Sequence, residues 1–162
     1  MAIINRQRPI ESLPVETIET VWNAGDVTRL DEFAHEDYVR HDPSYDEVIH
    51  GIDGYARVVT ELRTAMPDLT VTPERIAVVD DEFVFTEFTV AGTHEGVYQG
   101  IPPTGRSVQL HGVSRVRVVD GLAKEERLYY DTTEFRRQLG LTFPAILGHL
   151  PKFARYYLDR FA

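Results

Sequence analysis

The chain has 162 residues, 43% of them hydrophobic and 27% charged, which suits a single soluble globular domain with a sizeable core. It contains no cysteine, and this excludes disulfide bonds, thiolate catalysis and thiolate metal sites. The formal net charge of −9 argues against a nucleic-acid partner, because nucleic-acid-binding proteins usually present a basic face.

The N-terminal segment, residues 1–11, is predicted to be irregular. Its first residues, MAIINRQRP, lack the apolar centre of a secretory signal, and no apolar run of the chain is long enough for a membrane span. We therefore expect a cytoplasmic protein that has no membrane partner.

Three helices are predicted next, each marked by a residue that can cap it. The caps are Ser12, Asp26 and Asp53. Gly25 is expected to end the first helix and Pro67 the third. The apolar residues expected to face inward are Ile18, Val21 and Trp22, then Leu30, Phe33 and Ala34, then Tyr55, Val58, Val59, Leu62 and Met66.

Residues 37–43, between the second and third helices, are predicted to be extended up to Pro43. His41 beside Asp42 has two interpretations: a loop histidine near a turn aspartate, or a polar group at the mouth of a pocket. Trp22 is likewise either a core anchor or a platform for a ligand.

From residue 69 the apolar residues recur at every second position, which predicts strands over 69–79 and Phe83–Ala91. Pro73 indicates an edge strand or a bulge. Glu87 shares the parity of apolar neighbours, so it is predicted to be an acid on an apolar face, which would either raise its pKa or require an arginine partner such as Arg115 or Arg117. The alternative is that a twist or a bulge turns Glu87 outward.

The stretch Ser107–Asp131 is predicted to be a long hairpin that turns at Asp120-Gly121. Because strand side chains alternate, the two parities of its first arm point to opposite faces. One parity comprises His111, Arg115 and Arg117, and the other comprises Leu110, Gly112, Ser114 and Val116. The polar groups favour a lined pocket, with a solvated outer face as the alternative.

After the hairpin the chain is predicted to return to helix, with Thr132 or Thr133 as the cap. Residues 141–162 form a predicted helical extension with one aromatic stripe, which is interpreted as core or dimer packing or, alternatively, as a lid over a pocket. The stripe consists of Phe153, Tyr156, Tyr157 and Phe161. Because the open face of a sheet needs a cover, we expect a homodimer.

This order of elements predicts an α+β fold, in which a curved, cone-shaped antiparallel sheet of four or five strands wraps around the N-terminal helices. One domain is expected over residues 1–162, with its core over about 12–140 and the helical extension after it. Such a sheet leaves an interior hollow, which is a common place for a small ligand.

Several short motifs follow one another along most of the chain. They are Asn23–Asp26 (NAGD), Asp37–Pro43 (DYVRHDP), Met66–Leu69 (MPDL), Gly92–Gly96 (GTHEG), Gly100–Arg106 (GIPPTGR), Asp120-Gly121, and Asp131 followed by Gln138–Gly140 (QLG). In this order and spacing, from about Glu16 to Gly140, they resemble the SnoaL-like polyketide cyclase (ester cyclase) family. The resemblance implies a nuclear-transport-factor-like fold.

The family's characterised cyclases close a polyketide ring by an intramolecular aldol condensation, with neither a metal nor an organic cofactor. A carboxylate serves as general acid and base, and a histidine assists it. The resemblance places that carboxylate at Leu128 and the histidine at Ser114, so neither chemical group is present here. The aspartate three residues further on in the motif is matched by Asp131.

The residues that we expect to be catalytic are Asp131, His41 and His111, because a histidine, or a carboxylate in an apolar cavity, can exchange protons near neutral pH. The resemblance implies that neither a metal nor an organic cofactor is needed, and the sequence contains no HExxH motif that would indicate metal-dependent hydrolysis. No G-x-S-x-G motif indicates a serine nucleophile. The residues expected to bind the ligand are Trp22, Tyr38, Glu87, Arg115, Glu126, Leu128 and Tyr130.

Two functions fit these features. The first is a cofactor-free cyclase, isomerase or hydrolase-like enzyme that acts on a small hydrophobic organic molecule by acid–base catalysis. The alternative is a non-catalytic module that binds a small ligand or a second subunit, since the fold does not by itself imply catalysis.

Overall fold

Six strands form one curved sheet in a computed structural model of the chain. The structure describes residues 8–161 and the side chains of 8–160, so residues 1–7 of the predicted irregular segment and the side chain of Phe161 lie outside it. The strands are β1 Ala34–His41, β2 Ile49–His50, β3 Thr70–Val79, β4 Phe83–Thr93, β5 Ser107–Val119 and β6 Leu122–Tyr130.

The strands lie in the order β2-β1-β6-β5-β4-β3. All neighbours are antiparallel except β1 and β6, which run parallel. The α+β fold is confirmed, but the sheet differs from the expected one because it gains the short β2 and a parallel pair. A helix and four strands separate β1 from β6 along the chain, so local sequence does not indicate that these two strands pair.

The hairpin at Asp120-Gly121 is confirmed. Both turn residues have positive φ, 52° and 79°, which matches the right-handed twist of the flanking strands β5 and β6. Pro73 also lies where it was expected, because β3 is an edge strand and its register against β4 shifts next to Pro73.

Helices and helical turns supply the rest of the core. They are α1 Ser12–Thr17, which continues as a π-helical turn Ile18–Asn23, a 3-10 turn Val27–Glu32, α2 Gly51–Ala65, α3 Thr132–Gln138, a second 3-10 turn Ala145–Gly148, and α4 Leu150–Phe161. None of these helices within residues 8–161 is long and apolar enough to span a membrane.

Two predicted helix boundaries are wrong. The second helical segment ends at Glu32, so Phe33 and Ala34 are buried as expected but belong to the start of the sheet. The reason is that the carbonyl of Phe33 accepts a hydrogen bond from the backbone of β6. The third helix begins at Gly51, before the predicted cap Asp53, and ends ahead of Pro67 as predicted.

The C-terminal segment contacts the loop between β4 and β5. The hydroxyl of Tyr157 donates to the carbonyl of Gly100 over 2.8 Å, and the ring of Phe153 stacks on that of His149 at 5.8 Å. His149 in turn packs so closely on Gly140 that a Cβ atom there would lie 2.6 Å from its Nε2. These contacts fix the position of the C-terminal segment relative to the end of α3.

Candidate active site

A cavity of about 140 Å³ lies between the inner face of the sheet and the helices. Its wall is largely apolar, and α1, α2 and strands β1 and β3 to β6 contribute to it. Representative apolar residues of the wall are Leu13, Ile18, Val58, Met66, Phe88 and Leu110. No described residue of α4 lines the cavity, so the alternative of a C-terminal lid gains no support.

Three charged side chains form the polar end of the cavity. The guanidinium of Arg40 lies between two carboxylates, with Nη1 at 2.7 Å from Glu126 Oε2 and Nη2 at 3.1 Å from Asp42 Oδ2. These side chains are only 6% (Arg40), 12% (Glu126) and 6% (Asp42) exposed. One cation thus serves two buried anions, and the group, which we call the charged triad, has a net charge of −1 when both carboxylates are ionised.

Strand geometry explains how the triad forms. Arg40 on β1 pairs directly with Glu126 on β6 in the parallel register. Alternate residues of a strand share a face, so Tyr38 lies on the inner face with Arg40, and Leu128 and Tyr130 lie there with Glu126. Asp42 follows immediately after the end of β1.

Aromatic residues hold the triad in place. The hydroxyl of Tyr38 donates to Glu126 Oε2, and burial, followed by the charge of Glu126, raises the pKa of Tyr38 well above its ordinary value. The ring of Tyr38 stacks on that of Tyr55 at 4.8 Å, and Trp22 Nε1 donates to the Tyr55 hydroxyl over 3.1 Å. The Arg40 guanidinium lies 5.2 Å from the centre of the Trp22 ring, within cation–π range.

Burial opposes the charge of Arg40, but the neighbouring negative charges of Glu126 and Asp42 raise the pKa of Arg40 above its ordinary value. Arg40 therefore stays a cation at every pH at which the protein is folded. A permanent charge at this position keeps both carboxylates in their observed orientations.

The two carboxylates differ in how many of their oxygens remain free to accept a hydrogen bond from a ligand. Both oxygens of Asp42 are engaged, because the Ser44 amide donates to Oδ1 over 3.0 Å, the Tyr130 hydroxyl lies 2.6 Å from Oδ1, and Arg40 holds Oδ2. Both contacts on Glu126 fall on Oε2. Within residues 8–161 no hydrogen bond reaches Oε1 of Glu126, so this oxygen is available to a molecule in the cavity.

Ser114 and Leu128 lie opposite each other on β5 and β6, and both line the cavity. Glu126 precedes Leu128 on the same face of β6, so it is a diagonal neighbour of Ser114. No hydrogen bond to the Ser114 hydroxyl occurs within the described part of the chain. The cavity therefore presents one free acceptor and one free hydroxyl close together.

The structure places five of the predicted ligand-binding residues on the cavity wall. They are Trp22, Tyr38, Glu126, Leu128 and Tyr130. For Trp22 the two interpretations coincide, since its ring packs in the core and also faces the cavity.

The three residues expected to be catalytic lie outside the cavity. Asp131 is exposed and caps α3, accepting hydrogen bonds from the amides of Thr133 and Glu134 at 2.8 and 3.0 Å, so neither predicted threonine is the cap. His41 has the opposite parity to Arg40 and points away from the cavity, 3.9 Å from Glu125. His111 lies on the outer face of β5 with its side chain 69% exposed.

Glu87 and Arg115 are also on the outer face of the sheet. The alternative of a solvated outer face is therefore correct for the residues of β5 that share the parity of Arg115. Glu87 lies 3.7 Å from Arg75 and not beside Arg115 or Arg117. Arg115 instead donates to Glu125 over 2.8 Å. The prediction failed because the inner residues of β4 are those at the other parity, Thr86 and Phe88 among them.

Arg40 and Asp42 were missed as site residues. Tyr38, Arg40 and Asp42 alternate along the predicted extended segment, and this period of two was the available indication that all three face one side. Tyr98, which also lines the cavity, was missed because it belongs to a loop without periodicity. Among the described residues, no three His, Asp or Glu side chains come together as a metal site would require.

The family model described as SnoaL-like polyketide cyclase matches residues 13–139. The chain is 27% identical over 142 residues to aklanonic acid methyl ester cyclase DnrD of Streptomyces peucetius, covering 85% of this chain and 95% of that one. It is 28% identical over 133 residues to nogalonic acid methyl ester cyclase of Streptomyces nogalater, covering 82% and 98%.

The fold is also that of TsrD from Streptomyces laurentii, with a TM-score of 0.73, 24% identity, and 84% and 98% of the two chains covered. The family match extends over the whole six-stranded sheet and all the residues of the charged triad. This protein therefore belongs to the SnoaL-like polyketide cyclase family.

Proposed function

We propose that this protein is a cofactor-independent cyclase or isomerase that transfers a proton on a carbonyl compound bound in the cavity, with Glu126 as the general acid and base. The observation that carries the proposal is the state of the Glu126 carboxylate. Its Oε2 is fixed by Arg40 and Tyr38, while its Oε1 has no hydrogen bond from residues 8–161.

The reaction requires a base that is held firmly and still has a free lone pair. Glu126 Oε1 would take a proton from the carbon beside a carbonyl, and the electron pair of that C–H bond would form an enolate. The enolate carbon would then attack a second carbonyl of the same molecule, forming a C–C bond. The resulting alkoxide would regain the proton from Glu126, so the overall change is an isomerisation.

The developing enolate oxygen needs a hydrogen-bond donor. The hydroxyls of Tyr38 and Tyr130 already contact the carboxylates of the triad. The Ser114 hydroxyl is therefore the donor that we assign to the enolate, since it lines the cavity and is close to Glu126. The largely apolar wall keeps competing water away from the reacting carbon.

This assignment places the acid–base group two residues before the position at which the family resemblance expects it. The family resemblance puts the carboxylate at position 128, where this chain has Leu128, and Glu126 lies on the same inner face one alternation earlier. The two similar cyclases named above are cyclases of acid methyl esters, so an esterified carbonyl compound is the kind of substrate that we propose here.

A non-catalytic binding module is the second candidate function. It is favoured by the residues at the two family positions, Leu128 and Ser114, which supply neither a carboxylate nor an imidazole. In that case Glu126 Oε1 would accept a hydrogen bond from the bound ligand and no bond would be broken.

Proton exchange separates the two functions. The protein is incubated in deuterated buffer with one-ring β-keto methyl esters, and incorporation of deuterium at the carbon between the carbonyls is followed by NMR against the buffer rate. We expect exchange above that rate, and we expect Glu126→Gln to abolish it. The matched control is Glu125→Gln, because Glu125 directly precedes Glu126 and its side chain faces outward to Arg115.

Unchanged exchange in Glu126→Gln would disprove the role of Glu126. Saturable binding of a keto ester without any exchange above the buffer rate would instead identify a binding module.

A further inference from the structure

We infer that the cavity selects a compact, neutral carbonyl compound with a single ring, and that it rejects both larger fused-ring molecules and free carboxylic acids. The inference rests on the proposed function and narrows its substrate. It follows from the volume of the cavity, the charge at its polar end and the hydrogen-bonding groups that remain free there.

The volume of the cavity sets the size limit. At about 140 Å³ it is far smaller than the pockets of roughly 300–1,000 Å³ that hold drug-sized ligands. An engineered protein cavity of about 150 Å³ binds benzene. One ring with a short substituent is therefore the largest group that the cavity encloses, and the further rings of a fused-ring ligand would lie outside its apolar wall.

Rings of the protein itself occupy the remaining space, and they are held in place. Tyr38 and Tyr55 stack at 4.8 Å, and Tyr98 meets Phe135 edge-on at 5.8 Å. The hydroxyl of Tyr38 is bound to Glu126. Widening the cavity would break these contacts, so the small volume is a property of the packed core.

The charged triad sets the charge preference. Arg40 is already shared between Glu126 and Asp42, so a bound carboxylate would add a second uncompensated negative charge to a poorly solvated site. A neutral ester of the same shape avoids this repulsion. The triad therefore discriminates an ester from its free acid.

The free groups set the orientation. Glu126 Oε1 can accept from an acidic C–H or O–H, and the Ser114 hydroxyl can donate to a carbonyl oxygen. These two residues are diagonal neighbours on β6 and β5 and both line the cavity. A ligand with a carbonyl next to an acidic position satisfies both, whereas a hydrocarbon leaves both without a partner.

The test is a calorimetric titration of the purified full chain near neutral pH with methyl benzoate, sodium benzoate, methyl 2-naphthoate and methyl anthracene-2-carboxylate. We expect methyl benzoate to bind at least about tenfold more tightly than benzoate. We expect the three-ring ester not to bind measurably. Phe88→Ala should admit the naphthoate ester, because Phe88 forms part of the wall.

Two variants test the charge argument. Glu126→Gln should narrow the preference for ester over acid, while Glu125→Gln, on the outer face, should leave it unchanged. If Glu126→Gln does not fold, the wild-type comparisons of ester with acid and of ring number decide the matter.

Equal binding of benzoate, tight binding of the three-ring ester, or no binding of any one-ring ester would overturn the inference. Each of these results can occur with proton exchange by Glu126 intact. Conversely, the expected selectivity without any exchange would disprove the proposed catalysis and support the inferred ligand class. The two proposals therefore fail by different measurements.

Discussion

Replacing Arg40 with methionine removes the cation that Glu126 and Asp42 share, and this change tests how the site is held together. Methionine keeps much of the volume of the side chain, so the cavity is not enlarged greatly. The two carboxylates are left buried beside each other without a counter-ion. We expect a large loss of stability from this single substitution.

The magnitude follows from burial. Removing one partner of a buried ion pair costs about 3–5 kcal/mol, and the lost contact with the Trp22 ring adds roughly 1 kcal/mol. We therefore expect about 5 kcal/mol, which lowers the Tm of a chain of this size by roughly 10–20 °C.

The assay is urea unfolding, followed by the fluorescence of Trp22, the one tryptophan of the chain. Arg115→Met is the matched control, because Arg115 contacts Glu125 over a similar 2.8 Å but on the more exposed outer face, where a pair contributes about 0–1 kcal/mol. The triple change Arg40→Met, Asp42→Asn, Glu126→Gln should recover most of the loss. If Arg40→Met costs no more than Arg115→Met, the triad does not stabilise the fold as argued.

Three further predictions concern other parts of the chain. Burial lowers the pKa of His94 and of His149 below the ordinary 6.5, so the unfolded chain binds protons more tightly than the folded chain. The free energy of unfolding should therefore be highest above pH 6.5 and should decrease as the pH is lowered through that value. In urea titrations between about pH 8 and 5, His94→Asn should show a weaker dependence of the free energy of unfolding on pH. Asp131→Ala should cost about 1 kcal/mol by loss of the helix cap and leave proton exchange unchanged, and a loss of exchange would contradict its position outside the cavity. We also propose a homodimer that covers exposed apolar residues of the C-terminal segment such as Leu158, which is 72% exposed; sedimentation should show a dimer that Leu158→Glu weakens, and a monomeric wild type would refute this.

The sequence was sufficient for the elements whose cause is local. Asp120-Gly121 specifies a tight turn by its backbone preferences alone, and the alternation around it sorts Ser114 and His111 onto opposite faces. Asp131 shows the limit of the resemblance. It matches a family motif, yet Thr133 and Glu134 follow it as in a helix cap, and the structure uses it as that cap.

The charged triad could not be derived in this way. Arg40 and Glu126 meet only because β1 lies parallel to β6, and this pairing joins residues that are 86 positions apart in the sequence. Periodicity within either strand states which residues share a face, but it does not state which strand lies alongside. The free Oε1 of Glu126 is even harder to derive from the sequence, because it depends on Tyr38 and Arg40 both donating to Oε2.

The contact between Tyr157 and Gly100 gives the C-terminal helix a mechanical role. Gly100 sits at the tip of a turn in which Tyr98 and Ile101 exchange backbone hydrogen bonds, and Tyr98 is a wall residue of the cavity. The helix is thus tethered, through Gly100, to a turn that also supplies a wall residue of the cavity. Residues beyond the family match, which ends at 139, therefore contact the loop that carries part of the cavity wall, while the charged groups of the site lie on β1, on β6 and just after β1.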